Sequence, residues 1–505
     1  MSMILSTLMQ GVTHRLIAGN MGRRVSSVEY DSRKIQGNSA FVAIKGFTSD
    51  GHDYVAKAIE SGAGTIVVNK ERDSLSDDEL IALSEAKGVT VLEMEDTRKG
   101  IAVLSAQFYN HPEDRLDLVG VTGTKGKTTI TFMIHEILKR ANHSTGLIGT
   151  VCNMIGDEKR KASHTTPESH EVYELLEEMA KKQFDSCVME VSSQGLKLDR
   201  VHGLRFDVGC FTNLYEDHIG GNEHPDMEDY FSCKLKIFDS SRTAVVNRDC
   251  DVAKEVIDYA SKCCPVYTYG LSPESDCYAK DIQKKRINGV TGTEFYVESP
   301  WYEGTVFMAL PGEFNVYNAL CAISTAGLLK IDFEVVKDAL SNVHVPGRVQ
   351  PVPNNLDVTI LVDYAHNAAS LESVVKTLKS YCEGKVITVF GCGGNRSTTR
   401  RYEMGEVSGK LSDYTVITSD NPRKEEPLEI INMIVEGMQR TDGKYEVIVD
   451  RAEAIEAAIK MAKPGDTVLI AGKGHEDYQI FADKTIHFDD SEVALEVVNR
   501  LESEK

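Results

Sequence analysis

The sequence predicts an α/β protein of three domains: a small α/β N-terminal domain (residues 1–112), a central P-loop domain on a mostly parallel sheet (113–344) and a C-terminal doubly wound, Rossmann-like domain (345–505). Three observations carry this reading. The chain has 505 residues, and at roughly 150 residues per domain that length divides into about three. Short apolar runs alternate with helix-length amphipathic segments, the pattern of parallel strands joined by crossover helices. One such run leads straight into a Gly-Lys-Thr loop, a feature that belongs between a strand and a helix.

The elements follow in chain order. In the first block, apolar runs at 40–44 and 64–68 are separated by Gly, Ser and Asp and read as strands, and the amphipathic stretch 96–110 closes the block as a helix. The second block opens with the strand 116–121. After the Gly-rich loop, Ile130, Ile134, Ile137 and Leu138 recur on one helical face. Further strands are expected at 187–191, 208–211 and 243–246, and alternation through Glu294, Phe295, Tyr296 and Val297 marks an antiparallel annex over 276–312. The third block starts near Val345-Pro346-Gly347, with strands expected at 358–363, 386–390, 414–418, 446–449 and 467–471 and a helix between each consecutive pair.

Composition narrows the functional classes. Lys plus Arg total 56 against 77 Asp plus Glu, a net charge of −21. Such a chain is a poor general binder of nucleic acid, which rewards clustered positive charge. No stretch approaches the ~18 uninterrupted apolar residues of a membrane helix, and no signal peptide is recognisable in the first 22 residues, so a cytoplasmic protein without membrane insertion is expected. The 11 cysteines fall between Cys152 and Cys392 without Cys-x-x-Cys or zinc spacing, and read as reduced, small core residues.

The strongest chemical signal is Thr122-Gly123-Thr124-Lys125-Gly126-Lys127-Thr128-Thr129. Glycines let the backbone curl so that successive N–H groups face phosphate oxygens, and the helix N-terminus adds its dipole. Lys127 can reach terminal phosphates and the Thr128 hydroxyl can ligate Mg²⁺. Val121 stands where the full P-loop pattern has glycine, so this is a shortened Gly-x-x-Gly-Lys-Thr variant. Glu190, at a strand end before Ser192-Ser193, and His218, after the strand ending at Phe211, share the sheet edge of the P-loop and are candidate metal ligands. Asp420-Asn421-Pro422-Arg423 and Gly472-Lys473-Gly474-His475-Glu476 each follow a strand of the third block, and the Arg423 fork suits a carboxylate. Gly391-Cys392-Gly393-Gly394 is not a dinucleotide fingerprint and is discounted as a phosphate loop.

The succession Thr-Gly-Thr-x-Gly-Lys-Thr-Thr, Glu190-Val191-Ser192-Ser193, Thr212-Asn213-Leu214, Asp217-His218, Asp363-Tyr364-Ala365-His366 and Gly472-Lys473-Gly474-His475-Glu476 resembles the Mur ligases of bacterial cell-wall synthesis, in order and across essentially the whole chain. The resemblance implies ATP and Mg²⁺ as cofactors, with Gly123, Thr124, Lys125, Gly126, Lys127, Thr128 and Thr129 on the phosphates. It places Asn315 and Asn318 on the adenine side and brings Arg348 and Asp363 to ATP from the third domain. Thr128, Glu190, His218 and Lys234 would hold magnesium, Lys234 as a carbamate; Lys127, Lys234, Glu190 and His218 would be the catalytic set. Asp31-Ser32-Arg33 and Gly46-Phe47-Thr48 would hold the uridine nucleotide, while Thr165, Thr166, Ser192 and Arg200 would contact the rest of the UDP-N-acetylmuramoyl-dipeptide. Asp420, Asn421, Arg423, Arg396, Gly472 and Glu476 would take the incoming amino acid, and Arg423 points to the branch that adds meso-diaminopimelate, because its guanidinium pairs with the distal carboxylate and repels the ammonium of lysine.

The implied reaction is ATP-dependent amide formation through an acyl phosphate, by a monomer. The alternatives are the same chemistry with lysine, ornithine or a folate polyglutamate, a nucleotide-binding regulatory protein without ligase activity, and a generic P-loop ATPase. This sequence departs from the usual family runs at Lys125, at Ile219-Gly220-Gly221 and at Gly394-Asn395-Arg396-Ser397.

Overall fold

A computed structural model describes residues 2–504 other than 47, 48, 218 and 222, with every side chain among them except that of residue 381. The chain packs as two compact units, residues 1–269 and 270–505. It is an α/β protein, as the sequence predicts.

The first unit holds two large sheets, besides the antiparallel pair Met3–Ile4 and Arg24–Val25. The N-terminal one runs Arg15–Ala18, Thr90–Met94, Thr65–Asn69, Ala40–Val42, Val28–Glu29 in space; the first strand is antiparallel and the rest are parallel. Its two faces bury separate apolar clusters. Val42, Val67 and Leu92 pack with Ile101, Leu104 and Phe108 of the helix Thr97–Phe108 on one side, and Phe41, Ile66 and Val91 pack with Val55 and Leu80 on the other. That helix starts where the sequence places it: the Asp96 carboxylate accepts the N–H groups of Arg98 and Lys99 at 2.9 and 3.2 Å, satisfying donors the first turn leaves open.

The second sheet of this unit carries the P-loop. Its strands lie in the order Glu158–Arg160, Asn153–Ile155, Thr145–Ile148, Ser186–Glu190, Asp117–Thr122, Val208–Phe211, Ala244–Asn247, Val266–Gly270, and the last six are parallel. Asp117–Thr122 comes first in the chain yet sits centrally. The next strands fall on one side of it and the later ones on the other, and such a reversal opens a crevice at the strands' C-terminal ends. The helix Lys127–Arg140 covers this part of the sheet with Ile130, Ile134, Ile137 and Leu138 buried, the face its periodicity predicts.

The second unit begins with an antiparallel meander, Cys277–Ile287, Val290–Glu298 and Glu303–Met308, the annex expected over 276–312. The helix Glu313–Leu328 packs on it. A six-stranded sheet follows in the order Gln350–Pro351, Thr359–Asp363, Thr467–Ala471, Val386–Phe390, Tyr414–Ile417, Tyr445–Val447, all parallel after the antiparallel edge. One face buries Leu371, Val375, Met404, Ile430 and Ile434 from three helices; the other buries Ala454, Ile455, Ala458, Val497 and Val498 from two more. Helices on both faces make this sheet doubly wound.

Candidate active site

The P-loop is shaped by close packing as much as by its glycines. Gly123 holds φ +142° and Gly126 φ +90°, backbone that side chains resist, and a Cβ on Gly123 would overlap the Thr212 hydroxyl. Thr212 and Asn213, at the end of the neighbouring strand, brace the loop from outside. The Thr212 hydroxyl donates to the Lys125 carbonyl at 2.7 Å, and Asn213 accepts the N–H of Thr124 with its carbonyl and that of Lys125 with its side chain. Lys127 folds back over its own loop, donating to the carbonyls of Gly123 and Thr124 at 2.9 and 3.0 Å. Lys125 is exposed, 5.7 Å from the centre of the Tyr215 ring.

Glu190 is the hub of the adjacent strand end. Its carboxylate, 1% exposed as a residue, accepts the Thr128 hydroxyl at 3.0 Å, the Thr150 hydroxyl at 3.1 Å and the Thr150 N–H at 2.8 Å. The structure thus brings together two of the expected metal ligands, Thr128 and Glu190, both oxygen donors at the start of the P-loop helix. His218 lies outside the described residues.

Lys234, on the helix Met227–Leu235, is buried and donates to the Gly123 carbonyl at 2.9 Å, with its Nζ 4.3 Å from the Tyr230 ring centre. Burial, and then the nearby Lys127, push this amine well below the usual ammonium range. A second tie holds that helix in place. His224 Nδ1 lies 2.6 Å from Asp229 Oδ2 and His224 Nε2 lies 3.0 Å from the Ser193 hydroxyl, while Lys197 donates to the same Asp229 oxygen at 2.7 Å. Ser193 and His224 are buried, so this chain fastens the strand end after Glu190 to the Lys234 helix.

Thr165, Thr166, Ser192 and Arg200 gather around the same strand end. The Thr165 hydroxyl lies 2.9 Å from that of Thr150; Thr166 donates to the Glu190 carbonyl and accepts the Ser192 N–H, both at 2.9 Å. Arg200 is buried, pairing with Glu168 at 2.8 Å and donating to the Thr166 carbonyl at 3.0 Å. Ser32 is buried on the N-terminal part of this unit, between Asp31 and Arg33, whose side chains pair at 2.8 Å. Of the Gly46-Phe47-Thr48 loop, Phe47 and Thr48 lie outside the described residues.

In the second unit, Asn315 and Asn318 are buried in the first turns of the helix Glu313–Leu328, with Asn318 donating to Asn315 Oδ1 at 3.0 Å. Asp363, at its strand's C-terminal end, accepts the N–H groups of Val349 and Ala365, both at 2.8 Å, and burial raises its pKa. The Arg348 guanidinium lies 5.2 Å from the Tyr364 ring centre.

The loops expected to take an amino acid meet at the C-terminal edge of the doubly wound sheet. Arg423, in left-handed backbone at φ +55°, donates from Nη1 to the Gly394 carbonyl at 2.9 Å. Asn421 donates to Glu476 Oε2 at 2.8 Å, and Gly472 leaves room beside Asp420, whose Oδ2 a Cβ would approach to 3.0 Å. Arg396 is exposed on the facing loop. The glycines at 391 and 394 pack closely on the neighbouring loop: a Cβ on Gly391 would overlap the Thr418 carbonyl, and one on Gly394 the Pro422 carbonyl. Glu425 reinforces this contact, bridged twice to buried Arg401 at 2.8 and 2.9 Å.

Sequence reasoning missed Thr150, Glu168, Tyr230, His224 and Lys473. Thr150 reaches Glu190 from 40 positions away and Glu168 reaches Arg200 from 32, so no local motif contains the pair. Lys473 sits inside a recognised run, and its lack of exposure is visible only in the fold.

The chain matches family models for the Mur ligase family catalytic domain over residues 24–109, the Mur ligase middle domain over 121–326 and the Mur ligase glutamate ligase domain over 347–474. It belongs to the Mur ligase family. A Clostridium perfringens relative, "UDP-N-acetylmuramoyl-L-alanyl-D-glutamate--2,6-diaminopimelate ligase", is 41% identical over 98% of this chain and 99% of its own length. A relative of the same name from Caldanaerobacter subterraneus is 42% identical over the full length of both. A solved structure carrying that enzyme name superposes with a TM-score of 0.71 at 26% identity, covering 99% of this chain and 100% of that one.

Proposed function

We propose that this chain is an ATP-dependent, ADP-forming ligase that joins meso-diaminopimelate to UDP-N-acetylmuramoyl-L-alanyl-D-glutamate, in the cytoplasmic synthesis of peptidoglycan precursors. The relatives' shared name supports the reaction. The observation that carries the choice of amino acid is Arg423, anchored to the Gly394 carbonyl and borne on the loop whose Asn421 bonds Glu476. A guanidinium there offers a fork to the second carboxylate of diaminopimelate, where lysine has nothing to accept it.

In this reading residues 1–112 hold the UDP moiety through Ser32, 113–344 hold ATP and 345–505 hold the amino acid; the protein acts as a monomer. The P-loop N–H groups and Lys127 bind the ATP phosphates, which requires Lys127 to leave the carbonyls of Gly123 and Thr124. Thr128 and Glu190, oxygen donors 3.0 Å apart, suit a magnesium ion. With His218 and the Lys234 carbamate they would hold it, and when bound it supplies positive charge against the phosphates. A Lys234 carbamate nitrogen would keep one N–H, so it could still donate toward the Gly123 carbonyl that the amine bonds here.

Thr165, Thr166, Ser192 and Arg200 orient the dipeptide end of the UDP substrate. Its D-glutamyl γ-carboxylate attacks the γ-phosphorus of ATP and ADP leaves. The amine of diaminopimelate, held by Asp420, Asn421, Arg423, Arg396, Gly472 and Glu476, then attacks the acyl phosphate, and phosphate departs. Arg348 and Asp363, with Asn315 and Asn318, complete the nucleotide contacts. Much of the rate then comes from positioning two anionic reactants that otherwise repel.

The test is phosphate release from Mg-ATP and the UDP-dipeptide, with meso-diaminopimelate, L-lysine, L-ornithine or no amine. Diaminopimelate-dependent release that falls about 100-fold or more in kcat/KM in Arg423→Ala is expected, the size of a lost charge-assisted bidentate contact. Release with lysine in place of diaminopimelate would overturn the assignment of Arg423, and no amine-dependent release would overturn the ligase reading.

A further inference from the structure

Lys473 is the most deeply buried cation of the amino-acid loops. Its side chain has no exposure, whereas that of Glu476, three residues on, is 18% exposed. Burying an ammonium costs several kcal/mol unless its protons are taken up, so this one must be held for a reason. Two of its partners, Asn421 and Glu476, belong to the residues expected to take the amino acid. Nζ lies 3.4 Å from Asn421 Oδ1 and 3.4 Å from Glu476 Oε2, and donates to the Tyr478 carbonyl. The Tyr478 ring lies 5.4 Å from the same nitrogen.

These contacts fix both neighbours. Asn421 Oδ1 also accepts the Ile480 N–H at 2.9 Å, so its amide has one orientation, with Nδ2 turned onto Glu476 Oε2 at 2.8 Å. Glu476 Oε2 is thereby committed to Asn421 and Lys473. Among the described residues, Glu476 Oε1 has no hydrogen-bond donor. The loop 420–423 and the loop 472–476 are thus joined directly by the Asn421–Glu476 bond and a second time through the buried Lys473 nitrogen.

We propose that Lys473 is a positioning residue for the incoming amino acid: it saturates one oxygen of Glu476 and locks Asn421, leaving the other Glu476 oxygen to receive the amino acid's ammonium group. This rests on the functional reading above and adds a residue to it. Without Lys473 the Glu476 carboxylate keeps only Asn421 as a donor and the Asn421 oxygen keeps only the Ile480 N–H, so the pair is held less firmly and affinity for the amine falls while nucleotide handling stays as it was.

The test compares wild type with Lys473→Met, similar in length and uncharged, and with Lys473→Gln, as a second variant should the methionine form not fold. Steady-state kinetics are run separately in meso-diaminopimelate, ATP and the UDP-dipeptide, with L-lysine and L-ornithine as alternative amines. The expected result is a KM for diaminopimelate raised about 30-fold or more, the scale of a lost charged hydrogen-bond partner, with the KM for ATP and the nucleotide-induced thermal shift within about twofold of wild type. An unchanged amine KM, or KM values that rise together for all three substrates, would overturn the proposal. A wild type that uses no diamino acid would overturn the functional reading and this role with it; a wild type that uses diaminopimelate beside an unaffected variant would overturn this role alone.

Discussion

Glu29 is a buried carboxyl whose Oε2 has no hydrogen-bond partner and faces His170 Nε2 at 3.7 Å. Burial, then the nearby Glu174, push it up to about 7, while burial lowers His170 to about 4. Between the ordinary glutamate value and about 7 the folded protein holds a proton that the unfolded chain has lost, so stability drains away as pH rises through that window. Glu29→Gln removes the ionisation. Its stability relative to wild type, measured by urea unfolding, is expected to improve by about 1–3 kcal/mol between pH 5 and pH 8; an equal difference at both pH values would show that the charge is not the cause. At this scale the sequence was informative where chemistry is written locally. Lys127 and Thr128 stand in a Gly-rich phosphate-loop motif, whereas Glu190 drew attention only by sharing the P-loop's sheet edge. Lys234 looks like any helix lysine, and only the family resemblance singled it out. Thr150 and Lys473 act through partners that folding alone delivers.

Among the elements, strands buried on both faces were the most legible, because continuous apolar runs such as Ile360-Leu361-Val362 have few other uses. Thr145–Ile148 was missed for a physical reason. Gly146 breaks its apolar run, and a Cβ there would overlap the Met179 side chain, so packing rather than propensity sets the residue. The edge strand Glu158–Arg160, beyond Asn153–Ile155, is largely exposed and charged, and carries no strand signal at all. The P-loop yields a prediction of its own. Gly123→Ala places a methyl on the Thr212 hydroxyl at φ +142°, and such strain costs about 1–3 kcal/mol. Dissociation constants for ATP are expected to rise on the order of 10- to 100-fold by titration calorimetry, with far-ultraviolet circular dichroism unchanged; wild-type affinity would show that the loop tolerates the strain.

For the whole molecule, the net charge of −21 means that any anionic reactant must be drawn in by local groups against the overall field. The chain comprises two compact units, and chains of that kind often depart from all-or-none unfolding. Calorimetry is expected to resolve two transitions, with a nonhydrolysable ATP analogue at about 100 times its Kd adding about 2.7 kcal/mol to the one that includes the P-loop. A single transition coincident by every probe would count against this. The glycines at 391, 393 and 394 carry a lesson for redesign at the same scale. Because Gly391 and Gly394 lie flush against the backbone of 418–422 and Gly393 against the Arg423 guanidinium, a chimera that grafts only the 420–423 loop of a lysine-using homologue would leave the donor loop resting on a bed shaped for another. Recoding the amino acid therefore demands transplanting both segments as one cassette.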